Sequence, residues 1–163
     1  MNKYLKLINI NFLLLILFLL IPNFNNAKEI LIYADNISYD EEQNIIARGN
    51  AKIFQKNQLI ISDLIIYNVD KKEIVLPGNF TFKDSLNNFY NGENGFFSLD
   101  LKNAEFEKPM IKLNDGSRLI GKKIKRDGNI DIISKGVYTP CKSRIKIGNF
   151  ICPTWQLEGE KIL

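Results

Sequence analysis

Ile32-Tyr33-Ala34-Asp35-Asn36-Ile37-Ser38-Tyr39-Asp40 recurs as Ile60-Ile61-Ser62-Asp63-Leu64-Ile65-Ile66-Tyr67-Asn68, in the pattern Ile, any residue, small, Asp, any, Ile, any, Tyr, Asp or Asn. The segments that follow repeat as well. Ile45, Ala47, Gly49, Ala51 and Ile53 alternate with Arg48, Asn50 and Lys52, and Ile74, Leu76, Gly78, Phe80 and Phe82 alternate with Val75, Pro77, Asn79, Thr81 and Lys83. Gly49-Asn50 aligns on Gly78-Asn79. Period-two alternation places one set of side chains on a buried face and the other in water, so these are strands of an all-β chain built from an internal repeat. Leu119 to Asp127 fits the same frame without its Asp and Tyr, and Phe97-Ser98-Leu99-Asp100 is a degenerate copy.

Within each copy the apolar parity switches: Ile32 and Ala34 share one face, Ile37 and Tyr39 the other. A bulge or corner is therefore predicted at Asp35-Asn36 and at Asp63-Leu64. Repeated corners bend long strands until two sheets face one another, as in a jelly roll or a β-solenoid. Asp35 and Asp63 are expected to hydrogen-bond backbone N–H groups beside those corners rather than to form a catalytic pair, and Tyr39 and Tyr67 to pack. Pro77 cannot donate to a ladder, which predicts an edge or a position whose N–H is not needed. Turns are predicted at Asp40 to Gln43, Asp70 to Lys72, Asn114 to Gly116 and Arg126 to Asn129.

Residues 1–27 stand apart. Lys3 and Lys6 precede an apolar run from Phe12 to Ile21, then Pro22 and Asn25-Asn26-Ala27, the layout of a cleaved export signal. Removing Lys3 and Lys6 from 22 basic residues, against 18 acidic ones, leaves +2 on the mature chain 28–163. That balance does not imply nucleic acid, and the Lys122-Lys123-Ile124-Lys125-Arg126 cluster reads as the solvated part of a strand and turn. There is no histidine, which excludes His-dependent triads and most zinc sites. No Walker loop, dinucleotide fingerprint or Gly-x-Ser-x-Gly is present, so no enzyme, cofactor or metal is expected.

The repeat resembles the organic-solvent-tolerance (OstA) repeat of the periplasmic lipopolysaccharide-transport proteins LptA, LptC and the N-terminal domain of LptD, over roughly Ile30 to Ile162. A second stretch, Gly136-Val137-Tyr138-Thr139-Pro140-Cys141, a loop, then Cys152-Pro153-Thr154-Trp155-Gln156-Leu157, resembles the junction of LptD where a Tyr-x-x-Cys segment and a Trp precede the last periplasmic strand and the membrane barrel. The resemblance implies an OstA-type β-jelly roll of two antiparallel sheets. It further implies lipopolysaccharide as ligand, its lipid A acyl chains sheltered by an apolar interior, and a neighbour of LptA type joined by edge-strand pairing. It places the chain in the periplasm or outer membrane of a Gram-negative bacterium, with an outer-membrane lipoprotein partner if the full protein has a barrel. A soluble LptA-like bridge, or a carbohydrate-binding or structural β-solenoid module, is the alternative.

Under that resemblance Ala51, Ile53, Leu76, Phe80 and Phe82 are the groove candidates; the same residues also suit a closed sandwich core. Trp155-Gln156-Leu157-Glu158-Gly159-Glu160-Lys161-Ile162 begins a further copy, which suggests a domain truncated at its C-terminal end. Cys141 and Cys152 flank two short arms around Gly148-Asn149, which predicts a disulfide between them, since exported chains meet an oxidising compartment. Pairing with residues of a barrel is the rival that the resemblance to LptD implies.

Overall fold

A computed structural model describes residues 30–140, 146–147, 150–151 and 156–163. The export signal, Cys141, Cys152 and Trp155 lie outside the described residues. In chain order the strands are β1 (Leu31–Tyr33), β2 (Asn36–Tyr39), β3 (Ile45–Gln55), β4 (Gln58–Asn68), β5 (Glu73–Lys83), β6 (Phe89–Ser98), β7 (Asn103–Lys112), β8 (Arg118–Ile120), β9 (Lys123–Asp127), β10 (Ile130–Thr139), β11 (Lys146–Ile147), β12 (Phe150–Ile151) and β13 (Leu157–Ile162). Eleven of them form one antiparallel sheet in the order β1-β3-β4-β5-β6-β7-β8-β10-β13, with β2 on β3 and β9 between β7 and β10. Among the described residues β11 and β12 pair only with each other.

The ladders break along a line that crosses the sheet. β3 and β4 lose register between Arg48 and Ala51, β4 and β5 between Ser62 and Ile66, β5 and β6 between Leu76 and Asn79, and β6 and β7 between Asn91 and Phe96. β8 and β9 are one strand interrupted at Gly121-Lys122, and β1 and β2 are one strand interrupted at Ala34-Asp35. Left-handed backbone clusters on the same line, at Gly49, Asn50, Gly78, Asn94, Lys108 and Lys135. Extra residues in such conformations bend a strand sharply, so the sheet folds along the line into two layers. The two sheets implied by the repeat are thus two layers of one continuous sheet.

The first layer holds β2, the 45–48 half of β3, the 64–68 half of β4, the 73–76 half of β5, the 95–98 half of β6, the 103–107 half of β7, β9 and the start of β10. The second holds β1, the other halves and β8. Aromatic rings from the two layers meet between them. Phe80 stands edge-on to Phe97 at 5.5 Å and to Phe106 at 5.0 Å, and Phe82 to Phe97 at 5.3 Å. Such contacts add about 0.5–1.5 kcal/mol each beyond the area they bury.

In the first copy of the repeat the corner couples Asp35 to Gly49-Asn50. Asp35 donates its N–H to the Gly49 carbonyl at 2.9 Å, and its carboxylate accepts from the Asn50 side-chain amide at 2.8 Å. The expected backbone N–H partner is replaced by this amide on the next strand. Gly49 has φ +76°, and a Cβ there would lie 2.6 Å from the Asp35 carboxylate. Pro77 lies in a central strand, not an edge, but at the corner, where the ladders on both of its sides are interrupted and its missing N–H costs nothing.

All four predicted turns are present. The one at 40–44 and a further turn at 84–88, which the sequence reading did not predict, share one construction: Asp40 and Asp84 each accept backbone N–H groups two and four residues on, and the amide of Asn44 or Asn88. The Asn44 side-chain bond leads the interactions that hold the Asp40 carboxyl below the usual range.

Candidate functional site

Residues opposite one another on adjacent strands point to the same side, so the registers trace the interior directly. In the second layer Ile32, Ile53, Ile60, Phe82, Tyr90, Ile111, Leu119, Tyr138 and Leu157 stand side by side, one per strand. In the first layer Tyr39, Ile45, Tyr67, Ile74, Phe97 and Ala104 do the same, and the row ends in Arg126 and Asp131. The structure brings all five groove candidates into this interior: Ala51, Ile53, Leu76, Phe80 and Phe82 belong to one core cluster and are between 0% and 4% exposed. The layers are closed over them.

Among the described residues no strand covers the interior at its two ends. Ile37 sits opposite buried Ala47 yet is 49% exposed, and Tyr39, opposite Ile45, is 67% exposed. Leu157, in the row of buried Ile111, is 59% exposed at the far end. Each of these residues faces inward on the last strand of the sheet. The expectation that Tyr39 packs is corrected for this reason: it lies on the core side, but among the described residues no strand beyond β2 lies over it. Tyr67, on a central strand, does pack on the core.

Away from the corner line, where turns of both layers meet, polar groups bridge the gap. Gln55 of the second layer donates from Nε2 to the Leu99 carbonyl of the first at 2.8 Å. Arg126 is buried and binds Asp131 through Nε at 2.7 Å and Nη2 at 2.8 Å, while the Asp84 carboxylate of the opposite layer lies 4.0 Å from Nη2. Its guanidinium stands over the rings of Tyr90, at 4.4 Å, and Phe82, at 5.3 Å. The Tyr90 hydroxyl lies 3.1 Å from Asp131 and 3.3 Å from Asp84, and its single proton serves one of these carboxylates at a time. Burial pushes the Tyr90 pKa well above that of an ordinary phenol; the positive Arg126 opposes the shift and the two carboxylates add to it. Arg126 titrates higher than an ordinary arginine: its burial acts against the charge, and the bond and charge of Asp131 outweigh it.

The sequence reading of Lys122 to Arg126 as a solvated cluster is corrected at this point. Lys122, Lys123 and Lys125 are exposed, and Lys123 pairs with Glu105 on the outer face, but Arg126 shares the inward parity of Ile124. Asp84 and Arg126 were not among the sequence candidates. The signal for both was present: Asp-x-x-x-Asn occurs at 40 and again at 84, and alternation from Ile124 turns Arg126 inward.

These features define a jelly roll whose single sheet is folded along a line of corners, with an apolar interior open at both terminal strands. No family model matches the sequence. No curated protein matches it either. The fold is similar to that of LptH from Pseudomonas aeruginosa, described as the LptA-homologous periplasmic component of the lipopolysaccharide transport device, with a TM-score of 0.57. Identity is 13%, over 66% of this chain and 82% of that one. The all-β, LptA-type jelly roll expected from the repeat is therefore observed.

Proposed function

We propose that this chain is a periplasmic component of lipopolysaccharide transport that shelters lipid A acyl chains between its two layers. The observation that carries the reading is the continuous apolar interior that emerges uncovered at both terminal strands, at Ile37 and Tyr39 and at Leu157. An isolated sandwich gains by sealing such faces, because exposed inward-facing apolar residues forgo roughly 25 cal/mol for each Å² left in water. A conduit assembled from several units requires them open, so that one interior continues into the next. The outer edges of β2 and β13, with no partner strand among the described residues, offer backbone groups for addition of a neighbour's strand. The similarity to LptH supports the same reading through the fold alone.

In this reading the groove is lined by Ala51, Ile53, Leu76, Phe80 and Phe82, and the layers part to admit lipid. Photo-crosslinkers at Ile53 and Phe80, with Lys52 and Thr81 on the opposite face as controls, test it in cells that make lipopolysaccharide. Crosslinks from the inner pair alone are expected; equal yields from both faces, or none from either, refute the assignment. Within this function we favour the N-terminal domain of LptD over a soluble LptA-type bridge, on the Cys141 and Cys152 segment. Several hundred codons of barrel-type alternation in frame after Leu163 are the expected finding, and a stop codon there overturns the preference.

A further inference from the structure

We propose that acyl chains enter this interior sideways, between the facing turns, and that Arg126 with Asp84, Asp131 and Tyr90 is the gate across that opening. The inference rests on the lipid-carrying function proposed above and adds where the ligand passes and what holds the passage shut. Contacts between the layers are of two kinds, in two places. Toward the corner line they are apolar, Phe80 on Phe97 and Phe106. An acyl chain replaces such contacts with equivalent ones, because dispersion and burial are not directional. Toward the turns they are polar and directional: Gln55 to Leu99, Tyr90 to Asp131, and Arg126 between Asp131 and Asp84. Hydrocarbon satisfies none of these, so separation of the layers is resisted at the turns while the corners act as the hinge.

Position supports the same assignment. A cavity of about 480 Å³ opens between the turns, lined by Gln55, Asp84, Tyr90, Leu101, Arg126 and Asp131 among others. Arg126 forms part of its floor, with the rings of Phe82 and Tyr90 beneath the guanidinium. A chain that rests in this vestibule is separated from Phe82 by one side chain. Asp84 holds its place without Arg126, since it already accepts bonds from Leu86, Asn88 and the Asn88 amide. The cross-layer link can therefore break and re-form without unfolding the 84–88 turn. The ligand class is an amphiphile whose acyl chains enter between the layers, its polar end left outside between the turns.

The test is the rate at which the exported full chain takes up a dansyl-labelled undecanoic acid, whose emission rises in an apolar site. Arg126→Met combined with Asp84→Asn and Asp131→Asn removes the link without leaving a lone buried charge. Tyr90→Phe removes only the hydroxyl. Uptake is expected to be faster by about tenfold in the triple variant and about threefold in Tyr90→Phe, as the open population grows. Phe54→Ala, which loosens the outer face without touching the gate or the interior, is the control and is expected to leave the rate within about twofold of the parent. Unchanged or slower uptake in both gate variants, with binding by the parent intact, overturns the gate and leaves the proposed function standing. A control as fast as the gate variants also overturns the gate. If neither parent nor variants take up the probe, the lipid-carrying reading itself fails. Should the triple variant not fold, Tyr90→Phe against the control decides alone.

Discussion

Replacing Phe80 by Ala probes the closed interior most directly. The ring is nearly fully buried, meets Phe97 and Phe106 edge-on, and lies over Gly95, where even a Cβ would come within 2.7 Å of a ring carbon. Gly95 below it has no side chain of its own to fill the space, so the cavity collapses poorly. Phe→Ala in a core costs about 3–5 kcal/mol, and limited collapse places this site near ~4 kcal/mol, of which the two lost edge-on pairs supply about 1–2 kcal/mol. With a urea m-value near ~2 kcal/mol/M, the unfolding midpoint is expected to fall by about 2 M with m unchanged. Phe54→Ala serves as control: that ring sits on the outer face with one edge-on partner, Tyr33 at 5.7 Å, and about 1 kcal/mol is expected. A loss at Phe80 below about 1.5 kcal/mol would mean that the layers stand apart in solution, and the interior described here would be wrong.

Further expectations follow from other sites. Gly49→Ala should cost about 2 kcal/mol, since it combines φ +76° with a clash on Asp35; adding Asp35→Ala should recover only the clash, as a double-mutant cycle in urea would reveal. Because the Tyr90 pKa is raised on folding, its contribution to stability is intact below the ordinary phenol value of about 10 and is lost as pH rises beyond it. Alkaline titration at 295 nm should show the Tyr90 signal appearing only with unfolding, and in Tyr90→Phe the stability should fall less steeply above that pH. Ile37→Glu and Leu157→Glu lie on uncovered ends, so Tm should move by no more than about 3 °C while end-to-end association falls in sedimentation runs; unchanged association counts against joining at these strands. Thiol labelling of the unfolded, unreduced protein should find no free thiol if Cys141 pairs with Cys152, and two if their partners lie elsewhere.

The repeat made the fold legible because one face of each strand is buried, and burial writes a two-residue period into the chain. Corners were legible for the same reason: the parity slip between Ala34 and Ile37 is the bend itself. The pairing of Asp35 with Gly49-Asn50 was not, since it joins separate strands and depends on their register. Arg126 was obscured by its neighbours, Lys122, Lys123 and Lys125, which look outward in sequence and are outward in space. Charge alone does not tell which member of such a run turns in; the alternation through Ile124 does. The exposure of Tyr39 could not be read from its own copy of the repeat, because it depends on β2 lying at the margin of the sheet.

Strands in a sheet are stacked about 4.8 Å apart, so the nine interior positions from Ile32 to Leu157 span roughly 38 Å, and the length of the cavity is a count of strands rather than a property of any one of them. Such a molecule is a ruler with fixed graduations. Inserting one hairpin would extend it by about 10 Å and, at the usual twist of some 20–25° between neighbours, would turn one end by about 45° relative to the other. Inserting a single strand would reverse the direction of every strand beyond it and present the wrong edge polarity at that end. Length and angular phase are thereby geared together, and a lineage that needs a longer or shorter span must change both at once, in steps of two strands.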